Sequence, residues 1–429
     1  MLPGNETVAK LLTRCLFWAS VFILNELLIA NPFATGEELP RVFVLRTSDL
    51  IEVRKRVQSN DSFLFPAVNR LKHDADNALN AGPFSVTNKT LLPPSDDKHD
   101  YMSIAPYWWP DPDSPNGLPY VRRDGQINPE RDKTSDRGAL DAMIQSIKTL
   151  GLAYFLTGQE SYATQAAKLL HVWFLDEATK MNPNLKYAQA IPGRNQGRGA
   201  GIIETHNLPG LIDAVGLLRG SPAWSTNDQS ALEKWFDAYL TWLLESPEGR
   251  VESQARNNHG SWYDVQIASF ALFVDKKDLA RKILGEFGTK RIAEQIEPDG
   301  RQPRELERTQ SWNYSLFNLE ALFDAASLGN NIELDLWNFE TPDERSVRKA
   351  LDWLLPFAIG AKKWSYEQIS SWQPEKLAPF LRRAALRYHE LSYERTISKL
   401  SGVTGGERMQ LLYPKMTDFS STTLERSPP

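Results

Sequence analysis

Two polar, aromatic stretches in the middle of the chain carry the residue types best suited to chemistry. Residues 256–264 read Arg-Asn-Asn-His-Gly-Ser-Trp-Tyr-Asp, and residues 301–314 hold three arginines and end at Tyr314. Amide and guanidinium groups stabilise negative charge as it develops in a reaction, and imidazole and phenol groups transfer protons. We therefore expect the two stretches to face each other across a carbohydrate cleft and to remove a proton next to a carboxylate.

Proton removal beside a carboxylate would break a uronic acid polymer by β-elimination. Asn258 and Arg308 are the candidates to offset the carboxylate charge, and His259 and Tyr314 are the candidates for base and acid. A neutral imidazole is available near neutral pH, whereas a tyrosine needs nearby cations to lower its pKa before it can act as a base. The residues leave open which of the two is the base, and no metal or other cofactor is expected.

Each of these four residues also has an ordinary structural explanation. His259 could be a hydrogen-bonded structural residue, and Asn258 could belong to a helix N-cap. Arg308 could pair with a neighbouring glutamate, and Tyr314 could lie in a helical core. Their occurrence together in two short stretches favours the catalytic interpretation.

Composition indicates a soluble globular protein. Of 429 residues, 24% are charged and 41% are hydrophobic, and the net charge of -5 gives no reason to expect a nucleic acid partner. The single cysteine, Cys15, excludes an intrachain disulfide framework and a cysteine metal site. The partner expected from the chemistry is an anionic polysaccharide.

The N-terminus resembles a secretory signal. Lys10 and Arg14 precede a short apolar run, and small residues follow near Ala30 and Ala34. The run is too short and too interrupted for stable membrane insertion. We predict that residues 1–34 are a signal peptide or N-terminal leader and that the protein is secreted or periplasmic. The alternative is an amphipathic N-terminal helix, which the polar pair Asn25 and Glu26 favours.

Beyond about Ala139, apolar residues recur every three or four positions, which predicts successive helices. The predicted helical ranges are 139–157, 160–174, 203–218, 226–246, 262–274, 277–288, 311–327, 345–359 and 376–396. No fixed-length repeat is present, which argues against a solenoid. We predict an all-α fold, an (α/α) toroid or incomplete barrel of helical hairpins with long active-site loops. It would be a single domain over residues 35–400, followed by a polar tail over residues 401–429.

Two long loops are the predicted source of substrate contacts. Residues 82–130 are rich in Pro, Asp, Tyr and Trp, and residues 181–204 are rich in Gly and basic residues. Loops of this length in compact domains are usually functional. The predicted substrate-binding residues are Tyr107, Trp108, Lys186, Arg198, His206, Trp262, Tyr263 and Arg304. The second loop could instead be an ordinary surface loop that does not contact the substrate.

These motifs resemble a known family. Asn-Asn-His-Gly at 257–260, the run at 297–308 and Tyr314 resemble the core of the alginate lyase superfamily, in particular polysaccharide lyase family 5. The runs at 107–112 and 120–125 resemble alginate lyase-like proteins of polysaccharide lyase family 38. The resemblance spans about residues 65–375 and implies an (α/α) toroid with catalytic Asn258, His259, Arg308 and Tyr314. The spacing between the arginine and the tyrosine is one residue shorter than in family 5. It therefore leaves Arg304 open as an alternative to Arg308.

Two other classes of function remain as alternatives. A glycoside hydrolase on the same toroid would need two carboxylates that flank the scissile bond. Glu204, Asp264, Asp299 and Glu305 are the candidates. A non-catalytic carbohydrate-binding protein would keep the aromatic residues without needing His259 and Tyr314 together. The sequence also leaves open the uronate (mannuronate, guluronate or glucuronate) and the choice between endo and exo action.

Overall fold

Helices make up almost all of the regular structure. The computed structural model describes residues 39–134 and 136–416. The helices are α1 (Thr47–Gln58), α2 (Phe65–Ala78), α3 (Asp136–Thr157), α4 (Glu160–Leu170), α5 (Leu208–Gly216), α6 (Thr226–Glu245), α7 (Pro247–Ser253), α8 (Asn258–Phe273), α9 (Lys277–Phe287), α10 (Ala293–Gln295), α11 (Pro303–Leu306), α12 (Ser311–Gly329), α13 (Val347–Ala358), α14 (Ala378–Tyr388), α15 (Leu391–Ile397) and α16 (Met409–Leu412). The predicted all-α class is confirmed.

The inner wall of the toroid is a series of helices that pack side by side. Helix α3 packs on α5, α5 on α8, and α8 on α12, while α4, α6, α9 and α13 cover them from outside. A helix that is buried on all sides belongs to the interior of a large fold. Every residue of α8 except His259 is buried. In α12 the residues that are not buried are Asn313, Tyr314, Phe317 and Glu320. Their spacing places them on one face, and this face borders the central space of the toroid.

Short strands occur in the two long loops and join them. Strand β1 (Met102–Ile104) pairs in parallel with β4 (Tyr187–Ala190). Strand β2 (Trp108–Trp109) pairs antiparallel with β3 (Val121–Arg122). The sequence analysis did not predict these strands, because two to four residues are too few to show a clear alternation. Their pairing gives both loops a defined position over one end of the helices.

The described residues from Pro40 onward form one compact unit. The predicted signal peptide or leader lies outside the described residues, and so does the predicted tail beyond Met416. Helix α16 lies within the range predicted as tail, and its Met409 and Leu411 belong to the hydrophobic core. The domain boundaries at 35 and 400 stay a prediction. None of the described helices has the combination of length and apolarity needed to cross a bilayer.

The segment before α1 is fastened to the inner wall by the buried carboxylate of Asp213 on α5. Its oxygens accept hydrogen bonds from the backbone N–H groups of Phe43, Val44 and Leu45 at 2.6, 3.1 and 2.7 Å. Burial raises the pKa of Asp213 to about 7, against the opposing effect of these three donors. Because one carboxylate satisfies three consecutive donors, it substitutes for the secondary structure that this segment lacks.

Substitution of Asp213 by Asn should destabilise the fold. An amide keeps one acceptor oxygen but turns an N–H group toward backbone donors, so a buried donor loses its partner. The expected loss is about 1–3 kcal/mol in the free energy of unfolding, measured by urea denaturation. The control is Asp278→Asn, since the side chain of Asp278 is fully exposed. An unfolding midpoint for Asp213→Asn equal to that of the control would contradict this account.

Candidate active site

A cleft of about 450 Å³ lies at the end of the helices where the two long loops meet. All four predicted catalytic residues, Asn258, His259, Arg308 and Tyr314, line it. Four of the predicted substrate contacts line it as well, and these are Tyr107, Trp108, Arg198 and His206. The structure therefore brings together, in one cavity, residues that are separated by up to 207 positions in sequence.

Helix starts place the two polar stretches at the cleft. Asn257 has an extended backbone and precedes α8, so Asn258 and His259 lie in the first helical turn. The side chain of Asn257 makes no capping hydrogen bond. Tyr314 lies in the first turn of α12. The N-terminus of a helix carries partial positive charge, so both starts favour an anion in the cleft.

Glycine at position 260 is a packing requirement of this arrangement. A Cβ atom at Gly260 would lie 2.0 Å from the carbonyl oxygen of Ala255 and 2.2 Å from Nη1 of Arg291. Arg291 is buried and its Nη1 donates to that same carbonyl at 2.5 Å. In the Asn-Asn-His-Gly motif, the side chains of Asn258 and His259 therefore face the cleft, and the glycine allows the backbone behind them to pack closely against Ala255 and Arg291.

His259 is held by a buried carboxylate that the sequence analysis missed. Its Nδ1 donates to Oε1 of Glu252 at 2.6 Å. The side chain of Glu252 is 4% exposed and that of His259 is 24% exposed. Because a carboxylate accepts the proton of Nδ1, the lone pair of the neutral ring lies on Nε2. This tautomer is the one that a base in the cleft requires.

Arg308 is fixed by Asp124 from the first long loop. Its Nε and Nη2 donate to the two carboxylate oxygens of Asp124 at 3.0 and 2.7 Å. Burial acts to raise the pKa of Asp124, but the hydrogen bonds and charge of Arg308 outweigh it and lower the pKa to about 2. The partner of Arg308 is therefore Asp124, and not a neighbouring glutamate as the structural alternative held.

Tyr314 is a protonated phenol in this setting. The guanidinium carbon of Arg308 lies 3.7 Å from the centroid of the Tyr314 ring. The hydroxyls of Tyr314 and Tyr107 share a hydrogen bond of 2.7 Å. Burial raises the pKa of Tyr314 and the neighbouring Tyr107 raises it further, while the charge of Arg308 opposes them. The net upward direction suits a proton donor better than a base.

Asn258 is positioned by a second buried carboxylate. Its backbone N–H and its Nδ2 donate to the two oxygens of Glu305 at 2.7 and 2.6 Å. Burial raises the pKa of Glu305, and the hydrogen bonds from Asn258 act in the opposite direction. Because an amide nitrogen carries two hydrogens, the contact leaves one donor of Asn258 for a ligand.

Positive charge dominates the rest of the cleft. Arg122, Arg137 and Arg198 line it together with Arg308. Arg137 pairs with buried Glu204 at 3.0 Å, and Nη2 of Arg198 donates to Gln189 at 2.6 Å. Sequence reasoning missed Arg122 and Arg137, since single arginines in loops and at helix starts carry no pattern. The cleft is thus built for an anion.

Four predicted contacts do not line this cleft. Tyr263 is buried and its hydroxyl donates to the carbonyl of Leu243 at 2.8 Å. Trp262 is 2% exposed and packs beside His206, at 5.1 Å between ring centroids. Lys186 and Arg304 point to solvent. Trp262 and Tyr263 lie one helical turn further along α8 than His259, where the neighbouring helices cover them. Of the two candidate arginines, Arg308 reaches the cleft.

His206 lies at the inner end of the cleft as a neutral ring. Burial lowers its pKa to about 4, and its Nδ1 donates to the carbonyl oxygen of Ile203 at 2.8 Å. Its ring also contacts Phe317 edge to face.

The paired carboxylates of a glycoside hydrolase are not found in this cleft. No Asp or Glu belongs to the part of its lining that the structure describes. The four candidates are used elsewhere: Glu204 and Glu305 hold the cleft residues named above, buried Asp264 pairs with Arg291, and exposed Asp299 pairs with Arg301. Within residues 39–134 and 136–416, no group of three or more His, Cys, Asp or Glu side chains is placed to hold a metal ion.

Comparison with known proteins gives one family. The family model for alginate lyase matches residues 85–364. A crystal structure of an alginate lyase from Bacteroides ovatus is 42% identical with a TM-score of 0.84, and the match covers 87% of this chain and 99% of that chain. No curated protein sequence matches the chain.

More distant structures share the fold. Alginate lyase A1-III from Sphingomonas species A1 is 18% identical with a TM-score of 0.57, over 90% of this chain and 100% of that chain. A histidine-to-alanine variant of alginate lyase A1-III complexed with tetrasaccharide is 17% identical with a TM-score of 0.57, over 90% and 99%.

The raised pKa of Tyr314 can be tested by alkaline titration of the free protein. An exposed tyrosine is half ionised at about pH 10, and we expect Tyr314 to stay protonated there because burial disfavours the phenolate. The ultraviolet tyrosinate signal of the wild type and of Tyr314→Phe should therefore coincide up to that pH. A smaller signal in the variant at lower pH would contradict the assignment.

Proposed function

The chain belongs to the alginate lyase family and is a polysaccharide lyase, and on that premise we propose that it cleaves a uronic acid polysaccharide of the alginate or glucuronan type by β-elimination. The observation that carries the proposal is the cleft itself. It combines an oriented imidazole, a protonated phenol and four arginines, and its described lining holds no carboxylate.

Binding of the sugar carboxylate prepares the reaction. The guanidinium of Arg308 keeps donors that Asp124 does not use, and the amide of Asn258 keeps one. Asn258 also lies in the first turn of α8, where the partial positive charge of the helix favours an anion. Both groups offset the charge of the carboxylate and stabilise the additional charge that develops when the adjacent proton leaves. Because Asp124 and Glu305 fix these groups in advance, little reorganisation accompanies the reaction.

Proton transfer then follows from the two oriented side chains. Nε2 of His259 takes the proton from the carbon next to the carboxylate. The electron pair of that C–H bond forms the double bond of the product, and the bond from the neighbouring carbon to the glycosidic oxygen breaks. Tyr314 donates its proton to this leaving oxygen. The imidazolium returns its proton through water to the tyrosinate, which restores both groups.

The proposal assigns the base to His259 and the acid to Tyr314 on two contacts. Glu252 holds His259 in the tautomer whose Nε2 accepts a proton. Burial and Tyr107 favour the protonated form of Tyr314. The complex of alginate lyase A1-III with tetrasaccharide supports an oligosaccharide as the ligand of a cleft on this fold.

Export from the cytoplasm belongs to the same proposal. A polymeric substrate is met outside the cell or in the periplasm, and residues 1–34 have the pattern of a secretory signal. Fractionation of cells that express the full chain, beside cells that express it from residue 35, tests this point. Equal retention of both in the cytoplasm would contradict it.

Loss of the proposed base or acid should abolish formation of unsaturated product. His259→Ala and Tyr314→Phe should each lower kcat by roughly 100-fold or more. The assay is ultraviolet absorbance of unsaturated uronate, with mannuronate blocks, guluronate blocks and glucuronan as separate substrates. His73→Ala, on the exposed surface of α2, is the matched control and should retain full activity. New reducing ends without unsaturated product would point to a hydrolase instead.

Glu252 should act as a positioning residue for His259. Glu252→Ala leaves the imidazole free to rotate and to change tautomer, so kcat should fall roughly tenfold or more while KM stays within about twofold. Glu252→Gln should recover part of kcat, because its amide oxygen can still accept from Nδ1 of His259. An equal loss of kcat in both variants together with a lower melting temperature would indicate a purely structural role.

A further inference from the structure

A second cavity lies further along the inner helices than the catalytic cleft. Its volume is about 650 Å³, and His206, Asn313 and Phe317 line both spaces. We call it the inner chamber and define it by Gln145 and Lys148 of α3, Phe317 and Glu320 of α12, and Gly210 of α5. Because three residues border both cavities, the inner chamber is the inward continuation of the cleft.

Helix geometry accounts for this continuation. On α3, Arg137 lines the cleft, and Gln145 and Lys148 line the chamber two to three turns further along the same face. On α12, Tyr314 lines the cleft and Glu320 lines the chamber. One side of each inner helix therefore borders both the cleft and the chamber.

Two charged side chains in the chamber, Lys148 and Glu320, interact with neighbouring residues through charge alone. Among the described residues, neither Lys148 nor Glu320 makes a hydrogen bond or an ion pair, and the amide of Gln145 makes none. The ammonium of Lys148 lies over Gly210, 3.1 Å from where a Cβ atom would be. Glycine at position 210 thus leaves the space that the ammonium occupies.

Several other charges that border the chamber are paired within the protein. Asp324 pairs with Arg383 at 2.9 Å, and Arg408 pairs with Asp74 at 3.2 Å. Asp213 is occupied by backbone donors. Lys148 and Glu320 line the chamber without a hydrogen bond or ion pair among the described residues, so both are available to a ligand.

We propose that the inner chamber binds a further uronate unit of the polysaccharide, with Lys148 as the partner of its carboxylate. This inference rests on the proposed function. The amide of Gln145 and the carboxyl of Glu320 would bond the sugar hydroxyls, and the ring of Phe317 offers an apolar surface to the pyranose.

The protonation state of Glu320 is compatible with an anionic ligand. The side chain of Glu320 is exposed to the space of the chamber. Desolvation by the surrounding protein and the charge of Asp324 raise the pKa of Glu320 to about 7, against the opposing charges of Lys148 and Arg383. A carboxyl that is partly protonated near neutral pH repels the uronate less and can donate to a hydroxyl.

The first test measures how the effect of Lys148→Met on activity depends on the length of the oligosaccharide substrate. The substitution keeps the length of the side chain and removes its charge. Kinetics are measured on uronate oligosaccharides, from the shortest that is cleaved to the longest available. KM for the long substrates should rise roughly tenfold or more, because a charge-assisted contact is lost. KM for the shortest substrate and kcat should stay within about twofold of the wild type.

The matched control is Lys168→Met, an exposed lysine on α4. It should behave as the wild type at every chain length. Unfolding curves should nearly coincide for both variants and the wild type, since Lys148 makes no hydrogen bond or ion pair among the described residues that the substitution would remove. Equal KM values for Lys148→Met and the wild type at every chain length would overturn the proposal. So would an equal rise on the shortest substrate, because it would place Lys148 at the reacting unit.

A binding measurement separates this inference from the proposed function. Calorimetric titration of a uronate oligosaccharide into His259→Ala, with and without Lys148→Met, requires no cleavage. Weaker binding of the double variant supports the chamber, even if the wild type forms no unsaturated product from any uronate polymer. Unchanged binding in the double variant overturns the chamber, whatever the activity of the wild type.

Discussion

The bidentate ion pair between Asp124 and Arg308 is the interaction on which the cleft depends. It joins the first long loop to the segment between α11 and α12 across 184 positions of sequence. The same loop carries Tyr107, whose hydroxyl bonds Tyr314, and the guanidinium of Arg308 stacks on the Tyr314 ring. One charge pair thus places the cation, the phenol and an aromatic wall in a fixed relation. A cleft assembled before the substrate arrives stabilises developing charge without reorganising.

Carboxylates fix other polar side chains around the cleft in the same way. A carboxylate that does not itself line the cleft holds each principal polar group in place: Asp124 for Arg308, Glu252 for His259, Glu305 for Asn258 and Glu204 for Arg137. Negative charge is thereby placed behind the surface and positive charge on it. This separation reconciles a net charge of -5 for the chain with a cleft suited to a polyanion. The inner chamber differs in that its Lys148 has no such partner among the described residues.

Much of the fold, and the main polar residues that line the cleft, could be predicted from sequence. Periodic apolar residues gave the helices, and the density of polar groups at 256–264 and 301–314 identified Asn258, His259, Arg308 and Tyr314, all of which meet in one cleft. The supporting carboxylates could not be found, because a lone Asp in a loop has no spacing that relates it to Arg308. Trp262 and Tyr263 lie outside the cleft because they are one helical turn deeper along α8 than His259, where neighbouring helices bury them, and Trp262 borders the inner chamber instead.

The origin of the oxygen atoms in the product tests the central claim most directly. Elimination breaks the glycosidic bond without adding water, whereas hydrolysis adds one. The polysaccharide that the enzyme cleaves would be digested in water enriched in heavy oxygen, and the oligosaccharides analysed by mass spectrometry. We expect each new non-reducing end to be lighter than the hydrolysis product by one water, with no heavy oxygen incorporated at cleavage. Saturated new non-reducing ends, together with heavy oxygen in the new reducing ends above the exchange of an intact oligosaccharide incubated in the same water, would contradict the assignment of a lyase.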